Sequence, residues 1–252
     1  MTFAPGKLVL SGAYAVLAGA PAIAVAVSRG AYADSSRAAL TATPEVRAAL
    51  GSDRTAPHAD ASSMFVGSRK LGLGASAAIA VASVAACDAD AGFDLSDPTY
   101  RAGLFARCRR AHAEAQSGGS GVDVAVSVHG GALRYVVDAP VQRVSLPPSL
   151  ELSVFACGTS ARTSELRAQV DRLATTNPAA HRACLSELVA IANDAAAAVE
   201  AANGAAFVDA LRRTARGLGR LGVVAQVGIV PPGFDALEAL AAREEASFSV
   251  SG

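Results

Sequence analysis

Lysine occurs only twice in the 252 residues, at Lys7 and Lys70, and both positions lie beside glycine-containing turns. A compact ammonium on a flexible stem at such a place can reach a phosphate as a point charge. Lys70 opens a stretch of tiny residues, Gly72, Leu73, Gly74, Ala75, Ser76 and Ala77, that leads into an Ala/Ile/Val run of helical propensity. This reads as a loop opening into a helix N-terminus, where free backbone N–H groups and the positive end of the helix dipole favour an anion. Ser76 adds a hydroxyl able to hold a phosphate oxygen or Mg2+. No Gly-Lys-[Ser/Thr] follows at Walker A spacing, and a Gly-x-Gly loop before an Ala-rich helix is, alone, more often a tight connection. A third residue of interest, Asp123, follows the Gly/Ser loop 116–121 and precedes an apolar alternating run. That position aims a carboxylate into a cleft, and an Asp N-cap explains it equally well.

The elements that must carry these residues follow from turn signals and periodicity. Pro5-Gly6 marks a turn, Leu8 to Leu10 a strand, Gly12 a break and Ala22 to Val27 a second buried strand. Residues 34–68 are polar and turn-rich, with a short helix over Glu45 to Leu50 and a strand at Met64 to Val66 that delivers the chain to Arg69-Lys70. Helices are predicted over Ile79 to Cys87 and Thr99 to Ala115, the second with Ser96 or Asp97 as N-cap and Pro98 at its first position. On it His112 and Glu114 read as surface residues, with a metal contact as the alternative for Glu114, the only carboxylate near the Gly/Ser loop's entry; His129 reads as structural. Ala132 to Val137 alternates like a strand, and the Pro140 to Pro148 connection divides the chain into domains at 1–147 and 148–252. A strand at Leu152 to Ala156 leads into a hydroxyl-rich turn and a helix, and Asn177 to Leu221 forms two packing helices broken at Asn203-Gly204. Phe234, Leu237 and Leu240 mark a last short helix.

Composition bounds the function. Lys+Arg and Asp+Glu balance at 22 each, so no bulk electrostatic drive toward nucleic acid or an anionic membrane exists, and phosphate recognition must be local. The four cysteines, Cys87, Cys108, Cys157 and Cys184, lack metal-ligand or disulfide-framework spacing. With no basic-then-apolar leader and no apolar run long enough to span a bilayer, the expectation is a cytoplasmic, unsecreted protein.

Three stretches in this order resemble the GHMP kinases, the family of galacto-, homoserine, mevalonate and phosphomevalonate kinases. Gly-Leu-Gly-Ala-Ser-Ala-Ala from Gly72 is similar to the family's central motif, Gly-Leu-Gly-Ser-Ser-Ala-Ala. Ala-Pro-Gly-Lys from Ala4, continuing through Tyr14, resembles the N-terminal motif of the mevalonate and phosphomevalonate kinase branches. Ser-Gly-Val-Asp from Ser120 resembles the segment that carries their catalytic aspartate. Arg69-Lys70 before the central motif, and the Ser160-Ala161-Arg162-Thr163 turn, favour the phosphomevalonate branch.

The resemblance implies an α+β protein with an N-terminal ribosomal-protein-like βαβ domain and a C-terminal ferredoxin-like α/β sandwich. It implies phosphoryl transfer from ATP with Mg2+ to mevalonate 5-phosphate, with mevalonate or another GHMP substrate, or an inactive nucleotide-binding fragment, as alternatives. Lys7 and Asp123 would then be catalytic. Lys70, Gly72, Leu73, Gly74, Ala75, Ser76 and Ala77 would bind ATP, Ser76 also contacting metal, while Tyr14, Ser120, Ser160 and Arg162 would face the acceptor. The expected partner is a small molecule, with neither nucleic acid nor membrane, and a monomer or homodimer. Two positions depart from the pattern: Ala13 replaces a usual Glu and Ala75 a usual Ser. The Ser251-Gly252 ending matches only the start of the family's third, glycine-rich motif, so the C-terminal domain is expected to be incomplete.

Overall fold

The computed structural model describes residues 1–116, 118–156, 163–231 and 233–248, with the side chains of Thr163 and Ser164 excepted. Two of the expected acceptor residues, Ser160 and Arg162, and the terminal Ser251-Gly252 lie outside the described residues. The chain forms two compact units: Met1–Leu8 with Val25–Gly131, and Val9–Ala24 with Ala132–Gly252. Strands β1 (Thr2–Ser11) and β2 (Ala22–Ala38) each run through both units.

The first unit is built on a helix made almost entirely of small residues. After α1 (Pro44–Leu50), β3 (Pro57–Asp60), β4 (Phe65–Val66) and β5 (Arg69–Lys70), the chain enters α2 (Ala75–Asp90), then α3 (Pro98–Ala115) and α4 (Val122–His129). Helix α2 buries Ala77, Ala78, Ala80, Val81, Ala82, Val84 and Ala85 and is packed by α1, α3 and α4. With so few large side chains, neighbouring backbones approach it closely, which suits a site assembled from several elements. Its far end is anchored by Asp88, a buried carboxylate that accepts from Arg54, Arg107 and Tyr100. Burial alone would raise the Asp88 pKa, but the two guanidiniums outweigh it and hold the carboxyl below its ordinary range. In this unit β3 pairs antiparallel with β2, and β4 with β5.

The second unit holds β6 (Ala132–Tyr135) and β7 (Gln142–Val144), an antiparallel pair, then α5 (Thr163–Thr176), α6 (Pro178–Glu200), α7 (Gly204–Val224) and α8 (Phe234–Arg243). The main sheet has the order β1-β2-β6-β7, with β3 on β2. Val170, Leu173, Leu188, Ala192, Leu218 and Leu221 share one apolar core with Ala15 and Ala20. Asn177 and Asn203 cap α6 and α7 through side-chain oxygens that accept from Ala180 and Ala206 N–H, as the break at Asn203-Gly204 predicts.

Several expected boundaries shift. Pro5-Gly6 lies within β1 rather than in a turn, and β2 continues to Ala38, eleven residues past Val27. The alternating run after Asp123 is helix α4. Val122, Val124, Ala125, Val126 and Ser127 are all buried, so apolar residues lie all round the helix and its sequence mimics a strand's period. Asp97, not Ser96, caps α3, its side chain accepting from Thr99 N–H. Residues 151–156 form no strand, and α7 extends to Val224.

Candidate active site

Lys7 is held by its own backbone against the central loop. Its N–H donates to Leu73 O at 2.9 Å and its Nζ donates to Gly72 O at 3.3 Å. Gly6 makes this approach available, because a Cβ there would lie 2.8 Å from Leu73 O and 2.6 Å from Met64 Cε. The Ser127 hydroxyl donates to Pro5 O at 2.9 Å and ties α4 to the same strand. The Pro-Gly-Lys stretch is therefore a strand edge laid beside the loop. The Lys7 side chain is buried, and its pKa falls below the ordinary value because the charge is desolvated, an effect that Asp123 opposes.

The loop itself turns through Gly72 and Gly74, at φ +74° and +77°. Gly74 is the left-handed N-cap residue of α2 and faces both candidate catalytic groups: a Cβ there would sit 3.2 Å from Lys7 Cγ and 3.5 Å from Asp123 Cβ. Lys7, Asp123 and the α2 N-terminus therefore meet around one glycine. Ala75 and Ser76 follow in the first turn, and Ala77 is fully buried beneath. Lys70 sits exposed on β5, just before the loop. Ser120 stands before α4, where its hydroxyl accepts from Val122 N–H at 3.4 Å. Asp123 lies in the first turn of α4 behind Gly121, so it is not the cap; its Oδ1 accepts from Val124 N–H.

Tyr14, expected at the acceptor, belongs to the second unit and packs on that unit's core. Its backbone is at φ 61° and ψ −44°, a sparsely populated conformation for a non-glycine residue. Burial and the nearby Asp171 carboxylate push its phenol up to about 12.

Three side chains that sequence reasoning missed complete the first unit's cluster. His112, expected on the helix surface, is buried, with Nε2 3.2 Å from Ser76 Oγ and 3.3 Å from Asp123 Oδ2. The Gln116 amide Nε2 donates to Ser76 Oγ at 3.1 Å and to Glu45 Oε1 at 3.1 Å. Burial would raise the Glu45 pKa, but hydrogen bonds led by Gln116 hold it below the ordinary value. A signal for His112 does exist in the sequence: Leu104, Cys108, Ala111 and His112 fall at helical spacing on one buried stripe. Nothing local marks Glu45 or Gln116.

No protein-family model matches the chain. Over 194 residues it is 31% identical to a phosphomevalonate kinase of Streptomyces sp. (strain CL190), an alignment covering 67% of this chain and 50% of that protein. The chain thus spans about half the length of the curated relative it matches. Its fold is similar to that of the Lin0012 protein from Listeria innocua, with a TM-score of 0.80 at 18% identity, covering 100% of this chain and 86% of the other. It is also similar to Streptococcus pneumoniae phosphomevalonate kinase solved with phosphomevalonate and AMPPNP, with a TM-score of 0.70 at 17% identity over 99% of this chain and 87% of that one. Among the described residues no helix is long and apolar enough to cross a membrane.

Proposed function

We propose that the chain, whose fold is similar to that of phosphomevalonate kinase, is a GHMP kinase that transfers the γ-phosphoryl group of ATP to mevalonate 5-phosphate. The observation that carries the reading is the convergence of Lys7, Asp123 and the α2 N-terminus on Gly74. Phosphoryl transfer asks a protein chiefly for positioning and charge neutralisation. Backbone N–H groups of the first turn of α2, unobstructed beside Gly74 and Ala75, receive the nucleotide phosphates. Lys7 supplies positive charge beside the transferring group from a buried site, where charge is poorly screened. Asp123 orients the acceptor oxygen and takes its proton. Lys70 adds charge at the loop's approach, and Ser120, Tyr14, Ser160 and Arg162 are assigned to the acceptor.

Mg2+ would neutralise charge on the nucleotide phosphates here, with Ser76 in the first turn of α2 as the hydroxyl proposed to meet it. Ser76, the residue expected to meet it, has its Oγ 3.2 Å from His112 Nε2 and 3.1 Å from Gln116 Nε2. Among the described residues no group of three or more His, Cys, Asp or Glu side chains is arranged to hold a metal.

The test is ADP release by the purified chain with MgATP, offering mevalonate 5-phosphate and mevalonate separately. Turnover on mevalonate 5-phosphate that falls at least a hundredfold in Asp123→Asn supports the reading. Turnover on mevalonate alone reassigns the acceptor. Folded protein that releases no ADP with either acceptor overturns the proposal.

A further inference from the structure

Gln116 is the C-cap residue of α3 and stands where the chain leaves that helix for the Gly/Ser loop. Its amide nitrogen Nε2 donates to Glu45 Oε1 on α1 at 3.1 Å and to Ser76 Oγ in the first turn of α2 at 3.1 Å. Three helices are thus joined through one atom. A glutamine amide carries donors on one side and an acceptor on the other, and its partners decide which way round it sits. Glu45 is buried, which works against its charge, but hydrogen bonds led by Gln116 outweigh the burial and hold its pKa below the ordinary value. It is therefore ionised at neutral pH, and an ionised carboxylate only accepts. The amide atom facing Glu45 must be the NH2, and that same nitrogen is the one at Ser76. Turned the other way, the amide would set its oxygen against the carboxylate. The direction of the Ser76–His112 contact does not alter this, because Gln116 offers Ser76 a donor whichever ring nitrogen of His112 carries the proton.

From this we infer that Gln116 is a positioning residue for Ser76, and that Glu45 acts behind it by setting the orientation of the Gln116 amide. A serine hydroxyl with no fixed partner samples more than one rotamer. A donor held by α1 and α3 keeps Ser76 Oγ in one place beside the backbone N–H groups of the first turn of α2. Neither Gln116 nor Glu45 need touch the nucleotide, since both act through the hydroxyl. The identity of the ligand rests on the phosphotransfer reading above; what is added is the pair of residues that hold Ser76 for it.

The test is calorimetric titration of MgATP, without acceptor, into the full chain as wild type, Ser76→Ala, Gln116→Met and the Ser76→Ala/Gln116→Met double variant. Methionine keeps the length of glutamine and has no donor. Gln116→Met is expected to weaken MgATP binding about fivefold, the size of one lost hydrogen bond, and to have no further effect once residue 76 lacks its hydroxyl. Glu45→Gln, which lets the Gln116 amide turn over, should weaken binding with the same dependence on Ser76. A merely structural role would lower affinity equally with and without the hydroxyl, and that result overturns the inference, as does wild-type affinity in Gln116→Met. Folded wild type that binds no MgATP overturns the phosphotransfer reading itself, and the inference with it. Gln116 is exposed, so its substitution should leave the circular dichroism native. Should it not, Glu45→Gln in the Ser76 and Ser76→Ala backgrounds decides by the same criteria.

Discussion

Lys7 is a buried cation with a hydrogen bond to one carbonyl and a carboxylate nearby, and its desolvation has a measurable sign. The folded pKa lies below the ordinary 10.5, so between that depressed value and 10.5 the unfolded chain binds the proton that the folded chain has released. Stability therefore rises with pH across this window, and the cost of burying the charge is present in full below the folded pKa. Lys7→Met lacks this term. Its unfolding free energy relative to wild type, from urea titrations between neutral pH and pH 10.5, is expected to be greatest at neutral pH and to shrink as pH rises. A constant difference would mean that Lys7 is not desolvated, while activity should be lost throughout. Lys7, Ser76 and Asp123 were legible in the sequence because each stands in a short glycine-bordered motif whose chemistry is local. His112, Gln116 and Glu45 were not, since their roles come from α3 and α1 packing beside the α2 N-terminus.

At the scale of the element, the α2 N-terminus combines a backbone requirement with a steric one, and the two can be separated. Gly74 has φ +77°, and a methyl there would sit among Lys7 Cγ, Lys7 Cε and Asp123 Cβ, at 3.2, 3.4 and 3.5 Å. Gly92, just beyond the other end of the same helix, has φ +86° and nothing within 4 Å of a built Cβ. Ala at either position bears a left-handed backbone cost of about 1–2 kcal/mol. Only Gly74→Ala also pushes a methyl between the two candidate catalytic side chains. Thermal melts should show similar losses for both variants, whereas the KM for ATP should rise more than tenfold in Gly74→Ala and stay put in Gly92→Ala. Equal KM values would remove Gly74 from the site. The small-residue loop made this element readable, as did Asp97-Pro98 at the start of α3. Helix α4 carried no helical signal because it is buried on nearly every side, and a period of two along Val122, Val124, Val126 and Val128 is then indistinguishable from a strand's.

At the scale of the molecule, the sequence conveyed an α+β chain in two parts, while the passage of β1 and β2 through both units depends on long-range pairing that no local pattern encodes. The partition into units has an energetic consequence. Lys7, Gly72, Gly74, Ser76, His112 and Asp123 all belong to the first unit, and Leu188 lies in the apolar core of the second. Leu188 packs beside Gly217 of α7, where even a built Cβ would come within 2.8 Å of its Cδ2. That tight fit leaves little room for collapse, so Leu188→Ala should create a cavity and cost about 2–5 kcal/mol. If the nucleotide end is organised by the first unit, ATP affinity well below the melting temperature should stay within twofold of wild type despite that loss. Calorimetric titration of ATP beside a urea unfolding curve reads both quantities. Affinity falling in step with stability would instead show that the second unit's core contributes to the ATP site, and the assignment of that site to first-unit residues alone would have to be abandoned.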